Sequence, residues 1–150
     1  MEETPVNIRQ FLHDLRSGKI DDVLTRFKSL FARLPYSTRT DDTIIEQNFQ
    51  NVIYIVFMLL GQFVGVEEHY SQGRADCVVQ TKDFVYLFEF KRDKSADEAM
   101  AQIEEKNYAA PFAADSRTIL KVGVSFSSEE KNIVEWKVEN SRANGTSVFN

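Results

Sequence analysis

Apolar positions along the first third of the chain recur at helical spacing: Ile8, Phe11, Leu12 and Leu15, then Ile20, Val23, Leu24, Phe27, Leu30, Phe31 and Leu34. These stripes predict two amphipathic helices, from Pro5 to about Leu15 and from Ile20 to Leu34, broken at Ser17-Gly18 and ended by Pro35. The polar stretch from Ser37 to Asp42 reads as a loop. A third stripe (Ile45, Phe49, Val52, Ile53, Val56, Phe57, Leu60) predicts a helix from about Thr43 that Gly61 stops. From Val64 the rhythm changes to that of strands: Val64 to Ser71, Arg74 to Thr81, and Asp83 to Lys91. Ser95-Ala96-Asp97-Glu98 has the Ser-x-x-Glu pattern of a capping box. The helix it opens is expected to run to about Ala109, with Ala96, Ala99, Met100 and Ile103 on its apolar side. Thr118 to Phe126 and Ile133 to Val138 read as two later strands, and the tail beyond Glu139 reads as frayed. The order helix, three strands, helix, two strands, behind a helical preface, predicts an α+β fold with a mixed sheet. Residues 1–40 are read as a helical extension and 41–150 as the core domain.

The two central strands carry the chemistry. If Thr81-Lys82-Asp83-Phe84 is a tight turn, pairing runs Thr81 to Phe84, Val79 to Tyr86, Val78 to Leu87, and Asp76 falls opposite Glu89. Alternation then gathers Asp76, Glu89 and Lys91 on one face. Like charges facing each other across strands destabilise a sheet, and a divalent cation between them turns that cost into a binding site. Asp76, Glu89 and the backbone carbonyl of Phe90 offer the oxygen ligands that Mg²⁺ or Mn²⁺ takes. Lys91 is placed to hold an attacking water or a phosphate oxygen. This is the chemistry of metal-assisted phosphodiester hydrolysis. The spacing equally allows a plain salt bridge between Lys91 and one carboxylate.

Composition narrows the classes. A net charge of −5 argues against a basic nucleic-acid coat protein but not against an enzyme that meets a phosphate backbone through metal and a few local cations. Cys77 is the single cysteine, so no internal disulfide forms. It points away from the Asp76 face and reads as a small buried hydrophobe. Met1-Glu2-Glu3-Thr4-Pro5 lacks the basic and apolar regions of a signal peptide, and the longest apolar run, Ile53 to Leu60, is far short of a bilayer span. A cytoplasmic protein with no membrane partner is expected. His13 reads as a helix-surface residue and His69 as structural or exposed. No His-Glu-x-x-His, paired-cysteine motif, nucleophilic triad or phosphate-binding Gly-rich loop is present, which leaves zinc hydrolysis, covalent catalysis and P-loop nucleotide hydrolysis without support.

Gly73-Arg74-Ala75-Asp76, then Glu89-Phe90-Lys91, with Ala101-Gln102-Ile103-Glu104-Glu105-Lys106-Asn107-Tyr108 following, resembles the PD-(D/E)xK nuclease superfamily. The resemblance extends from about Glu46 to Val138, and its motifs resemble those of the nuclease domain at the carboxyl end of bacterial AAA-ATPase-like proteins. It implies a restriction-endonuclease-like core and a Mg²⁺- or Mn²⁺-dependent nuclease, acting on DNA before RNA and leaving a 5′-phosphate and a 3′-hydroxyl. It places metal ligands on Asp76 and Glu89, the catalytic lysine on Lys91, an acidic residue that tunes or shares the metal on Glu46, and a positioning glutamine on Gln102. Arg74 pairs with Glu46 or touches phosphate, and Lys106 and Tyr108 are substrate-side candidates. The family's Pro-Asp is Ala75-Asp76 here, and Lys106 stands where a Gln-x-x-x-Tyr pattern has its tyrosine, with Tyr108 two residues on. The resemblance further implies an upstream ATPase-like region as a partner. Dimerisation through the amphipathic preface, or a catalytically weak module that docks other proteins through it, is the alternative.

Overall fold

Phe84, Tyr86, Phe88 and Phe90 alternate along one strand, and their rings stack in series with centroids 6.0, 6.1 and 5.7 Å apart. Alternate residues share a face, so this aromatic column needs a broad apolar cover. The computed structural model describes residues 7–33, 56, 58–61, 65–69, 76–140 and 147–149, with the backbone alone at 65–69, 76 and 147–149. Strands β1 (Gly65–His69), β2 (Asp76–Gln80), β3 (Phe84–Arg92), β4 (Thr118–Ser127), β5 (Asn132–Asn140) and β6 (Ser147–Phe149) form one sheet in chain order. Every neighbouring pair is antiparallel except β3 and β4, which run parallel. A parallel pair needs a crossover, and it is supplied by a helix, Ala96–Glu105, followed by a 3₁₀ turn, Ala110–Phe112. This is the mixed-sheet α+β architecture that the order of elements predicts.

Two helices cover the aromatic column: α1 (Ile8–Arg16) and α2 (Ile20–Arg33). Phe11 and Leu15 of α1, and Ile20, Val23, Leu24, Phe27, Leu30 and Phe31 of α2, are buried in one core with Cys77, Val79, Tyr86, Phe88 and the inward residues of β4 and β5. The apolar stripes that a docking module would have to expose are thus covered by the chain's own sheet. Cys77 lies on this face, as its place in the hairpin requires. The predicted third helix falls largely outside the described residues. Val56 and residues 58–60 are helical, and Val56 and Leu60 join the same core.

The turn between α1 and α2 fits tightly against β3. Gly18 adopts φ +75°, and a Cβ there would sit 2.5 Å from the Phe84 ring, so only glycine satisfies both the backbone and the contact. Beside it, the Tyr86 hydroxyl donates to the Leu15 carbonyl at 2.5 Å. Asp14, 3% exposed, accepts from Arg26 Nε at 2.7 Å. Burial pushes the Tyr86 phenol well above its ordinary value of 10.0; the Gly18 backbone hydrogen bond opposes this, and the Asp14 charge adds to it. A phenol whose folded pKa is raised contributes stability below the unfolded value and loses it as pH rises beyond. Urea unfolding is therefore expected to show stability falling from about pH 10 upward. Tyr86→Phe, lower in stability by about 1 kcal/mol at neutral pH, should flatten that alkaline loss.

Two elements differ from the periodicity. Where the sequence predicts fraying beyond Glu139, β5 continues to Asn140, and β6 pairs with Val138–Asn140. The far side of β5 offers unpaired backbone groups that a short segment can use. In β5 the register slips where Ser125 pairs with Glu135 and Phe126 with Ile133, so Val134 is a bulge residue and is exposed. At the opposite end of the central strands, Arg117 ties the hairpin down. It donates to the Thr81 carbonyl at 3.0 Å and to Gln80 Oε1 at 2.9 Å, while its side-chain and backbone N–H bonds to Asp115 lower the pKa of that carboxyl to about 2.

Candidate active site

The hairpin has the predicted register. Thr81 N–H donates to the Phe84 carbonyl at 2.8 Å, and the Thr81 hydroxyl accepts the Phe84 N–H at 2.9 Å. From there the ladder runs through Val79–Tyr86 and Val78–Leu87 to Asp76–Glu89. Because β3 alternates, Glu89 and Lys91 lie on the face opposite the aromatic column. That face belongs to the crossover helix, now α3 (Ala96–Glu105).

Gly123 of β4 lets α3 come close. A Cβ there would lie 2.8 Å from the Ala96 carbonyl oxygen and 3.0 Å from Ala99 Cβ and Met100 Cγ. The start of α3 is fixed twice. Ser95 accepts the Glu98 N–H at 3.1 Å, the capping interaction read from the sequence. Glu135, aimed by the β5 bulge, accepts the Ala96 N–H at 2.8 Å, placing a carboxylate at the positive end of the helix. Between Lys91 and the helix, Asp93 takes a left-handed conformation (φ 57°) and accepts from the Ser128 hydroxyl at 2.6 Å and N–H at 2.9 Å. These bonds hold the Asp93 carboxyl below its ordinary value. The Ser125 hydroxyl donates to the Lys94 carbonyl. The segment leaving Lys91 is thus anchored to β4 and to the turn after it.

Glu89 is the centre of the face. It is 1% exposed, although an isolated buried carboxylate is costly. The Tyr108 hydroxyl donates to its Oε1 at 3.1 Å, and Lys91 Nζ stands 3.7 Å from its Oε2. The shortest contact of Lys91 is elsewhere: its ammonium donates to Gln102 Oε1 at 2.6 Å. A hydrogen bond at that distance outweighs an ion pair at 3.7 Å in fixing the ammonium, so Gln102, not Glu89, sets where Lys91 points. Further along the face, Lys121, 8% exposed on β4, is neutralised by Glu104 of α3.

Of the residues singled out in the sequence, Glu89, Lys91, Gln102 and Tyr108 come together, and the register puts Asp76 opposite Glu89. Lys106 does not join them: it is the exposed C-cap of α3. Glu46 and Arg74 lie outside the described residues. The helix predicted to reach Ala109 ends at Glu105 because Asn107 turns left-handed (φ 54°). One residue that the sequence reading set aside returns. His69 pairs with Asp76, so His69, Asp76, Glu89, Gly123 and Lys137 occupy one row across five strands. Seeing this needs the β1–β2 register, which no local pattern in the sequence gives. Among the described residues no group of three or more His, Cys, Asp or Glu side chains converges.

A mixed sheet with a buried Glu89 followed by Lys91 on its central strand, an Asp opposite and a helix-borne Gln on the lysine is the arrangement that the resemblance to PD-(D/E)xK nucleases implies. A family model described as the PD-(D/E)XK nuclease superfamily matches residues 44–136, and the chain belongs to that superfamily. Its sheet and helices are those of a restriction-endonuclease-like core. An uncharacterized protein in the vnfD 5′ region of Azotobacter chroococcum mcd 1 is 34% identical over 119 residues, covering 77% of this chain. The chain spans 23% of that relative's length. No solved structure matches it. Nucleases of this superfamily generally use divalent metals. No described helix is long and apolar enough to cross a membrane.

Proposed function

We propose that this chain is a divalent-metal-dependent nuclease that hydrolyses phosphodiester bonds in DNA, with Asp76 and Glu89 binding the metal and Lys91 acting on the water or the phosphate. The observation that carries the reading is the environment of Glu89. A carboxylate 1% exposed accepts from a phenol on one oxygen and has a lysine ammonium 3.7 Å from the other. Buried charge beside an opposite charge on a face that also collects a glutamine is the pattern expected of a reaction site.

Two carboxylates and the Phe90 carbonyl are the oxygen donors that suit Mg²⁺ or Mn²⁺. When bound, such an ion lowers the pKa of water and stabilises charge on the phosphoryl oxygens. Lys91 has three N–H donors, and Gln102 takes one of them, which orients the others toward substrate. The attacking water gives up a proton to solvent as its oxygen bonds to phosphorus, the P–O3′ bond breaks, and the leaving 3′ oxygen takes up a proton from solvent. Glu46 is assigned to tuning the metal, and Arg74 and Lys106 to the phosphate backbone. A cytoplasmic setting and attachment to an upstream ATPase-like region complete the proposal.

The test uses metal-stripped protein. Calorimetry with MnCl₂ should show one binding event in the millimolar range or tighter. Plasmid and oligonucleotide DNA should be cleaved with Mn²⁺ or Mg²⁺ and left intact with chelator. A folded protein that binds neither ion and cleaves neither DNA nor RNA would sink the nuclease reading.

A further inference from the structure

Tyr108 reaches Glu89 through a specific helix ending. Lys106 is the C-cap of α3, Asn107 the left-handed residue after it, and Tyr108 the next. Tyr108 N–H donates to the Ile103 carbonyl at 3.2 Å, and Asn107 N–H to the Glu104 carbonyl at 3.1 Å. This pair of bonds is a Schellman motif, in which the chain reverses at a residue with positive φ, usually Gly and sometimes Asn. The reversal folds Tyr108 back over the sheet, where its ring packs against the cluster of Val85, Leu87 and Ile119. Its hydroxyl then stops 3.1 Å from Glu89 Oε1. A tyrosine buried at one end finds a partner for its O–H at the other. Here that partner is the carboxylate at the centre of the site.

We infer that Tyr108 is a positioning residue for the metal-binding carboxylate: the Schellman turn delivers its phenol to Glu89 Oε1 and so fixes the carboxylate plane, with Oε2 on the Lys91 side. The inference rests on the nuclease reading and replaces a substrate-side role for Tyr108 with one exerted through Glu89. Partners that hold a metal ligand in place typically matter by about 10–100-fold in metal affinity. Tyr108 does this from a position whose backbone is set by Asn107, so a change at Asn107 reaches the site without touching it.

Calorimetric titration of the metal-stripped full chain with MnCl₂ tests this on wild type, Tyr108→Phe, Asn107→Gly and Asn107→Val. Tyr108→Phe keeps the ring and removes the hydroxyl. It should weaken Mn²⁺ binding by about 10-fold and leave the thermal midpoint near wild type. Asn107→Gly, which accepts positive φ, should bind as wild type does. Asn107→Val, strained there, should weaken binding as the phenylalanine variant does. Wild-type Mn²⁺ affinity in Tyr108→Phe overturns the positioning role and leaves the nuclease reading standing, whether or not the midpoint falls. Absence of Mn²⁺ binding in wild type itself overturns both.

Discussion

Glu89→Gln is expected to lower Mn²⁺-dependent DNA cleavage by at least about 10³-fold while leaving the fold intact. The substitution keeps the shape of the side chain and removes the charge. Gln102 still holds the Lys91 ammonium, and the amide oxygen of the new side chain can still accept from Tyr108. What is lost is a negatively charged metal ligand. A metal contributes several kcal/mol of transition-state stabilisation, and about 1.4 kcal/mol corresponds to a factor of ten. Lys91→Ala should reduce cleavage too. It also removes the cation 3.7 Å from a carboxylate that is 1% exposed, so some of its effect is on stability. The glutamine variant separates the two: an equal midpoint in thermal melting with cleavage lost assigns the charge to chemistry. Cleavage at the wild-type rate in both variants would remove Glu89 and Lys91 from the mechanism.

Gly123→Ala is expected to be the most disruptive small change in the sheet. One added methyl group meets the Ala96 carbonyl, the Ala99 side chain and the Met100 side chain at 2.8–3.0 Å. Two of those contacts are with short, unyielding groups, so relief requires α3 to lift from β4. Overpacking of this kind costs about 1–3 kcal/mol, measurable as a fall in the urea midpoint. The same helix carries Gln102 and leads to Tyr108, so activity should drop further than the loss of folded protein explains. A variant with normal activity and only a lowered midpoint would show that the site tolerates movement of the helix.

The hairpin was legible because its connection is short. A two-residue turn leaves one register, and that register alone fixes Asp76 opposite Glu89. The start of α3 was legible for a similar reason, since Ser95 and Glu98 write a cap in four residues. Its end was not. No glycine or proline interrupts residues 104–110, and the stop depends on Asn107 adopting a conformation that its side chain permits but does not announce. The sixth strand was hidden because Ser147–Phe149 is too short for alternation to show and exists through pairing with β5. The stripes of α1 and α2 announced that they would be covered. Their cover is a sheet face assembled from distant segments, which no local pattern names. The contact of Tyr108 with Glu89 and the row shared by His69 and Asp76 were out of reach for the same reason. Each depends on where a turn or a neighbouring strand delivers a residue.

The central claim is that the Glu89 face holds a metal. A crystal of the protein soaked in MnCl₂, with data collected for the anomalous signal of manganese, tests it most directly. The expected map has a peak about 2.1 Å from a Glu89 carboxylate oxygen and from Asp76, with Tyr108 still on Glu89 and Gln102 still on Lys91. A map with no peak on this face, in a crystal where manganese binds elsewhere, would contradict the assignment and leave Glu89 as a buried structural carboxylate.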